Sequence, residues 1–353
     1  MKCSANKHHL LKTLKCMSFP KAILNIDAID KIYLISSDDT VITKSTIEAE
    51  VQDQGRVTVS CTILYDVLSK IRGDIIKLQT KDKKLYVIGE SAKVSIATLD
   101  DTFTHEIEEP DQWFFTIPAS VMRKAIKKTN HAIQYEKVPD AIKGLHICAS
   151  GNQLTFTGTD KKQFAMFRIE LPSDEQFEAI LPKEHLKWVE GILDVGEVSF
   201  SIKDNYGVFA TDTHILYTRT LNGNYPAVLK LLDKQTVCTV KVDSNELLKS
   251  VELATITADK SNTKGAKEVF LSTKVDGIGI AARNELGDVT DILHAETDGQ
   301  ELKVVYDSTH LIHAIKAAST DKTELGFLGA DSPLVINGED CKFMIGAIKN
   351  REV

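Results

Sequence analysis

The stretch that decides the fold is residues 302–318, LKVVYDSTHLIHAIKAA, in which a short strand pattern runs directly into a helix pattern. β-branched residues predict the strand, and Asp307 or Ser308 supplies a helix-start residue. Apolar residues then follow at helical spacing, namely Leu311, Ile315 and Ala318. A second strand is predicted over 323–327, so the stretch forms a strand–helix–strand unit.

The same unit occurs twice earlier in the chain. Residues 57–73, VTVSCTILYDVLSKIRG, use Ser60 as the helix start, and residues 179–193, AILPKEHLKWVEGIL, place Pro182 at a first-turn position. Three helix starts at almost even spacing indicate an internal repeat.

A second helix pattern recurs with the first, over 8–17, 118–129 and 243–254. Predicted strands outnumber helices in every copy, which is typical of α+β domains with antiparallel sheets. The sequence therefore predicts three similar domains, with bounds 1–109, 110–233 and 234–353.

The charge of the chain gives only partial support for binding to nucleic acid. The chain of 353 residues has 43 Lys and Arg against 50 Asp and Glu, a net charge of −7, which by itself argues against such a partner. Two predicted helices nevertheless carry cations and no acids. These candidate phosphate-binding residues are Lys7, Lys12 and Lys15 in the first helix and Arg123, Lys124, Lys127 and Lys128 in the second. The alternative is a solvated basic face.

The chain shows no catalytic motif. It has neither a phosphate-binding G-x-x-x-x-G-K-[ST] loop nor a G-x-S-x-G elbow. His310 and His313 could share a metal, but no third ligand lies at a recognisable spacing. The six cysteines are scattered and fit neither a zinc site nor a disulfide framework. We expect no enzyme activity, no metal and no cofactor.

The first residues contain no apolar signal core, and no stretch approaches the length of a membrane span. A cytoplasmic protein without a membrane partner is therefore expected.

Several segments together resemble one known family. They are residues 144–165 (GLHICASGNQLTFTGTDKKQFA), 222–226 (NGNYP), 332–336 (SPLVI), 343–348 (FMIGAI) and 98–100 (TLD) followed by Phe103. In this order and spacing they are similar to the bacterial DNA polymerase III β subunit, the sliding clamp. The resemblance spans the whole chain.

The resemblance implies a DNA-clamp fold, in which antiparallel sheets lie outside and two helices per domain line a central channel. It implies a non-catalytic head-to-tail homodimer that encircles duplex DNA as a processivity factor and tethers the DNA polymerase III catalytic subunit. A clamp loader is implied as a partner, and repair polymerases, mismatch-repair proteins and ligase as further ones. The dimer interface is expected near Phe103 and Ile107 in the first domain and Ile256 in the last.

The family also implies a partner-peptide pocket between the middle and last domains. The matching positions are Ile142, Thr159, Lys161, Lys162, Gln163, Phe164, Pro226, Lys230, Leu231, Pro333, Met344, Ile345, Gly346, Ala347 and Ile348. The chain departs from the family pattern at Lys162-Gln163-Phe164, where the usual arginine is missing.

Two alternatives stay open. One is a clamp-fold peptide-binding scaffold that does not encircle DNA, which the partial basic helices and the acidic last third favour. The other is an enzyme with an unrecognised site that uses Asp160 or His310.

Overall fold

The computed structural model describes residues 1–38, 40–100, 108–134, 138–171, 176–226, 234–258 and 266–348. Within these ranges the chain forms 26 strands and six α-helices. The strands are β1 (Lys2–Asn6), β2 (Ile23–Ala28), β3 (Ile32–Ser37), β4 (Val41–Ile47), β5 (Ala49–Asp53), β6 (Gly55–Ser60), β7 (Ile75–Lys81), β8 (Lys84–Ile88), β9 (Lys93–Ala97), β10 (Phe115–Pro118), β11 (Gly144–Ser150), β12 (Gln153–Thr159), β13 (Gln163–Glu170), β14 (Phe177–Pro182), β15 (Glu197–Lys203), β16 (Tyr206–Ala210), β17 (His214–Arg219), β18 (Cys238–Asp243), β19 (Glu268–Lys274), β20 (Gly277–Asn284), β21 (Gly287–His294), β22 (Glu296–Gly299), β23 (Lys303–Asp307), β24 (Lys322–Phe327), β25 (Leu334–Asn337) and β26 (Cys341–Ile345).

The helices are α1 (Lys7–Met17), α2 (Cys61–Lys70), α3 (Ala119–Thr129), α4 (Leu186–Ile192), α5 (Ser244–Thr257) and α6 (Ser308–Ala318). Short 3-10 helices cover Asn130–Ala132, Asp140–Ile142 and Lys183–His185. None of the helices in the described part of the chain is long and apolar enough to cross a membrane.

The chain divides into two compact units. The first unit holds Met1–Arg123 and Glu184–Thr220, and the second holds Lys124–Lys183 and Leu221–Val353. Residues of the predicted middle domain enter both units, and the three-domain bounds stay a prediction.

The first unit contains two antiparallel sheets. One has the strand order β5-β1-β7-β8-β9 and the other has the order β10-β15-β16-β17-β4-β3-β2-β6. The second of these sheets is continuous because β17 pairs with β4, with Tyr217 opposite Ile42. Both residues are buried and pack with Val208 in an apolar cluster. Strands that are far apart in sequence thus share one sheet and one core.

The second unit repeats this arrangement. Its sheets have the orders β14-β11-β12-β13-β26-β25-β24-β18-β22 and β21-β20-β19-β23. Here β13 pairs with β26, and Phe164 lies opposite Met344. This pairing brings together two segments that the sequence resemblance marks as one pocket.

Capping residues explain where several helices begin. The Ser60 hydroxyl accepts a hydrogen bond from the Ile63 amide at the start of α2, and an Asp307 oxygen accepts one from the Thr309 amide at the start of α6. Both predicted helix-start residues are therefore confirmed as N-caps. Pro182 instead ends β14, and the 3-10 turn Lys183–His185 precedes α4.

The predicted repeats are present among the described elements. The first pattern appears as β6-α2-β7, β14-α4-β15 and β23-α6-β24, and the second as β1-α1-β2, β10-α3-β11 and β18-α5-β19. The predicted apolar helix positions are buried, as Leu64 and Leu68 in α2 and Leu311 and Ile315 in α6 illustrate. The α+β class with antiparallel sheets is confirmed.

Candidate nucleic-acid interface and partner pocket

Two of the three predicted phosphate-binding lysines of α1 bind groups of the protein itself. The Lys7 ammonium donates a hydrogen bond to the carbonyl of Ile71, the residue that ends α2. Lys12 forms an ion pair with Asp194, which lies just beyond α4. Lys15 is exposed and makes no hydrogen bond or ion pair with any described residue.

The cations of α3 behave in the same way. Arg123 donates a hydrogen bond to the carbonyl of Leu193, the C-cap residue of α4. Lys124 pairs with Asp340 at 2.5 Å between Nζ and Oδ2, and this hydrogen bond raises the pKa of the lysine. These two side chains are therefore partly committed to contacts inside the chain.

Lys128 is half-buried at the C-terminal end of α6. Its ammonium donates hydrogen bonds to the carbonyls of Ala317 and Ala318, the second at 3.2 Å. Burial lowers the pKa of Lys128. Its neighbour Lys127 is exposed and has no hydrogen-bond or ion-pair partner in the described ranges.

Lys7, Arg123 and Lys128 share one role: each places a cation at the carbonyl end of a helix. The last carbonyls of a helix lack intrahelical partners and carry partial negative charge, so a cation there is stabilising. The sequence predicted that like charges four residues apart on α3 need an anion. Part of that need is met within the protein, and of the seven predicted cations Lys15 and Lys127 are the two without a partner among the described residues.

The predicted pocket positions differ in how deeply they are buried. Six are buried, namely Ile142, Thr159, Gln163, Phe164, Met344 and Ile345. Pro333, Gly346, Ala347 and Ile348 are half-buried, and Lys161, Lys162 and Pro226 are exposed. Lys230 and Leu231 lie outside the described residues.

The β13–β26 pairing assembles the central part of this set. Phe164 and Met344 are opposite each other, and the Gly346 amide donates a hydrogen bond of 2.7 Å to the Lys162 carbonyl. An apolar cluster forms around the pair.

The members that sequence reasoning missed are Met166, Val335 and the partly buried Leu328. The alternation of side chains along β13 is a signal for Met166, two residues after Phe164 on the same face.

The turn that leads into β13 is held by Asp160. Its Oδ1 accepts hydrogen bonds from the Lys162 and Gln163 amides, both at 2.8 Å, and Lys161 has a φ of 76°, in the left-handed region. Gln163, at the position of the missing arginine, donates from Nε2 to Asp160 Oδ2 at 3.1 Å and to the His131 carbonyl at 3.3 Å. Both side chains thus serve the turn, and these contacts give no support to a catalytic role for Asp160.

A stack of two aromatic rings positions the segment before Pro226. The Tyr225 ring lies 4.2 Å from the His146 ring, with the planes 6° from parallel. Burial raises the pKa of Tyr225 and lowers that of His146.

Of the three predicted dimer residues, one lies among the described residues. Ile256 on α5 is 75% exposed, while Phe103 and Ile107 lie outside the described residues. Among the other exposed apolar residues of the second unit that sequence reasoning missed are Leu253 and Ile292. Leu253 precedes Ile256 by three residues on α5, so helical spacing could have grouped the two.

No metal site accompanies these features in the ranges that the structure describes, where no group of three His, Cys, Asp or Glu side chains could hold an ion.

Solved structures define the class of this fold. A DNA polymerase sliding clamp from Bacillus subtilis superimposes with a TM-score of 0.91 at 19% identity and 99% coverage of both chains. The β subunit of Streptococcus pyogenes DNA polymerase gives a TM-score of 0.92 at 17% identity, covering 99% of this chain and 100% of that one. The protein therefore has the three-domain DNA-clamp fold.

Sequence comparison identifies the family within that class. Models of the DNA polymerase III β subunit match in chain order, the N-terminal domain over 22–104, the central domain over 116–227 and the C-terminal domain over 230–344. The chain belongs to the DNA polymerase III β subunit family.

Relatives named β sliding clamp include those of Bacillus subtilis, 21% identical over 87% of this chain and 85% of the relative, and Staphylococcus aureus strain Mu50, 23% identical over 93% and 92%. β sliding clamps are non-catalytic subunits of DNA polymerase III, so the prediction that this chain is not an enzyme is confirmed.

Proposed function

We propose that this protein is a processivity clamp: two copies associate head to tail into a ring that encircles duplex DNA and tethers the DNA polymerase III catalytic subunit. A clamp loader opens and closes the ring, in the cytoplasm, and repair polymerases, mismatch-repair proteins and ligase use the same partner pocket. Family membership supports this general role, and two unlike surfaces of the chain support the assembly.

The observation that carries the proposal is an exposed apolar surface on the second unit. Leu253, Ile256 and Ile292 are 49%, 75% and 58% exposed, and a groove of about 410 Å³ lies beside Leu253 and Ile292. Exposed apolar side chains that cluster in this way mark interaction surfaces. The strand β21, which carries Ile292, is also the edge of its sheet.

A complementary surface lies on the first unit. Strand β9 is the edge of its five-stranded sheet, and a nearby pocket of about 390 Å³ is lined by Lys81, Lys83 and Lys84. The edge strand β21 carries Asp288 and Asp291. Edge strands accept further strands, and opposite charges favour their approach. Two different surfaces that meet give a heterologous contact, which closes into a ring when the geometry allows.

DNA contact in this proposal is weak and independent of sequence. Lys15 and Lys127 offer free ammonium groups, and each phosphate contact adds salt dependence without fixing a base. Such binding suits a ring that must slide.

The partner pocket is proposed around Phe164, Met344 and Leu328. A short peptide with a glutamine and apolar anchors would add side chains to this apolar cluster, and each buried anchor contributes about 1.5–3 kcal/mol. Micromolar binding corresponds to about 8 kcal/mol.

The test combines assembly with DNA topology. Wild-type protein should sediment as a dimer, stay on nicked circular DNA after loading, and leave once the circle is cut. Ile256→Arg should give monomers that are not retained. Val275→Arg, at a residue that is 73% exposed on a turn outside the groove, is the matched control and should remain dimeric. A monomeric wild type without retention would reject the ring.

The second candidate function is a peptide-binding scaffold that does not encircle DNA. It is favoured because five of the seven predicted phosphate-binding cations bind carbonyls or carboxylates of the chain itself. Peptide binding without retention on nicked circles would select it over the clamp.

A further inference from the structure

Three histidines from two distant segments meet in the second unit. His131 lies in the 3-10 helix Asn130–Ala132, and His310 and His313 lie on α6. The rings of His131 and His313 are 5.8 Å apart and tilted by 61°, and the other side of His131 meets the Phe343 ring at 5.6 Å. We call these three residues the histidine cluster.

The cluster contacts the turn that leads into β13. His310 Nε2 lies 3.8 Å from Asp160 Oδ2, and the Asp160 side chain is only 6% exposed. Gln163 bridges the two sides, since its Nε2 bonds to both Asp160 and the His131 carbonyl. The packing of α6 against this turn therefore depends on the charge of a few polar groups.

Basic groups outnumber acidic ones around the cluster. His131 faces His310, His313 and Lys183, with Asp160 as the opposing charge. His313 faces His310, Lys316 and Lys183, with Asp307 opposing them. Lys183 donates a hydrogen bond to the Ile133 carbonyl, and Lys316 is paired with Glu252.

These surroundings favour the neutral forms of His131 and His313. Burial, reinforced by His313 and His310, lowers the pKa of His131 from 6.5 to about 4, and burial also lowers the pKa of His313. Because its pKa is lowered in the closed structure, each of these two histidines binds a proton more readily when the local structure opens. The closed arrangement is therefore complete above pH 6.5 and weakens as the pH falls towards 4.

We propose that the histidine cluster is an acid-sensitive latch, in which protonation drives His131 and His313 apart and releases α6 from the Asp160–Phe164 turn. The latch concerns the conformation of the second unit alone and does not depend on DNA or on a second copy. Because Phe164 belongs to the candidate partner pocket, the pocket would be remodelled with it.

The experiment measures amide hydrogen exchange of the full chain at pH 7.5 and pH 5, corrected for the intrinsic exchange rate. For a pKa of 6.5 in the open state and about 4 in the closed state, the protection of segments 160–170 and 308–318 should fall roughly 30-fold at pH 5. Segment 23–37 of the first unit serves as the internal reference. Equal protection at both pH values, with the reference unchanged, would overturn the latch.

Two substitutions of His313 sharpen the test. His313→Phe keeps a ring against His131 but cannot be protonated, so the loss of protection at pH 5 should be smaller than in the wild type, by the share that repulsion between the two rings contributes. His313→Lys carries a fixed charge and should lower protection already at pH 7.5. His8→Lys, at an exposed histidine of α1, is the control and should match wild type. If His313→Phe retains the full pH effect, repulsion between His131 and His313 does not drive the opening, and the latch is overturned.

Discussion

At the scale of single residues, the main finding is that cations on α1 and α3 stabilise helix ends. Lys7, Arg123 and Lys128 each reach a terminal carbonyl of another helix. A charge that looks available for a ligand in the sequence is thereby used inside the fold. Of the two adjacent lysines of α3, Lys128 therefore binds the end of α6, whereas Lys127 has no partner among the described residues.

We expect Lys128→Met to lower the free energy of unfolding by about 1–2 kcal/mol, because two carbonyls at the end of α6 lose a charged donor. Lys127→Met, one residue away and exposed, should change it by less than about 0.5 kcal/mol. Urea denaturation of both variants checks this. Equal effects would mean that the Lys128 contacts contribute little.

We expect the double variant Lys15→Ala, Lys127→Ala to weaken binding to duplex DNA without loss of stability. In a dimer it removes at most four phosphate contacts, so the slope of log affinity against log salt should fall by up to roughly 3.6. Fluorescence anisotropy between about 50 and 200 mM salt measures the slope. An unchanged slope would show that neither lysine touches DNA.

At the scale of elements, the local sequence pattern predicts where helices begin. It does not predict which distant strands pair. Ser60 and Asp307 were predicted as helix starts because capping depends on neighbours within three residues. The pairing of β13 with β26, by contrast, joins segments that no periodicity links.

Only the family resemblance put Phe164 and Met344 in one site. The hydrogen bond from Lys128 to Ala317 and the contact between His131 and His313 were invisible for the same reason.

A test at this scale concerns the cap of α5. Asp243 Oδ1 accepts hydrogen bonds of 2.9 Å from the Asn245 and Glu246 amides. Asp243→Ala should cost about 1 kcal/mol of stability, whereas Asp243→Asn keeps an acceptor and should cost only a few tenths. Thermal unfolding of the two variants distinguishes the loss of the cap from a general charge effect. A charge effect would lower the stability of both variants equally.

At the scale of the whole molecule, both units contain histidines that burial keeps neutral. The pKa of His214 in the first unit and of His131 in the second is lowered from 6.5 to about 4. His146, His185 and His313 have lowered pKa values too. Because unfolded chains bind more protons than folded ones in this range, stability is complete above pH 6.5 and falls as the pH drops towards 4.

We therefore expect the free energy of unfolding to decline steadily below pH 6.5, with a loss on the order of 3 kcal/mol from each of His131 and His214 at the acid end. Urea denaturation across this range measures it. His214→Gln should reduce the slope, and a slope that stays the same would assign the acid loss to other groups.

The pairing of β13 with β26 also has a consequence for how the chain is made. When Gln163 is added to the growing chain, its partner Ile345 is still about 180 residues from synthesis, a delay of roughly 10–35 s at usual elongation rates. During that time one edge of β13, with Phe164 and Met166, has no strand beside it, and β4 waits similarly for β17. Each of these strand edges is thus unpaired for about half of the synthesis of the chain, and an unpaired edge is a site at which incomplete chains can aggregate.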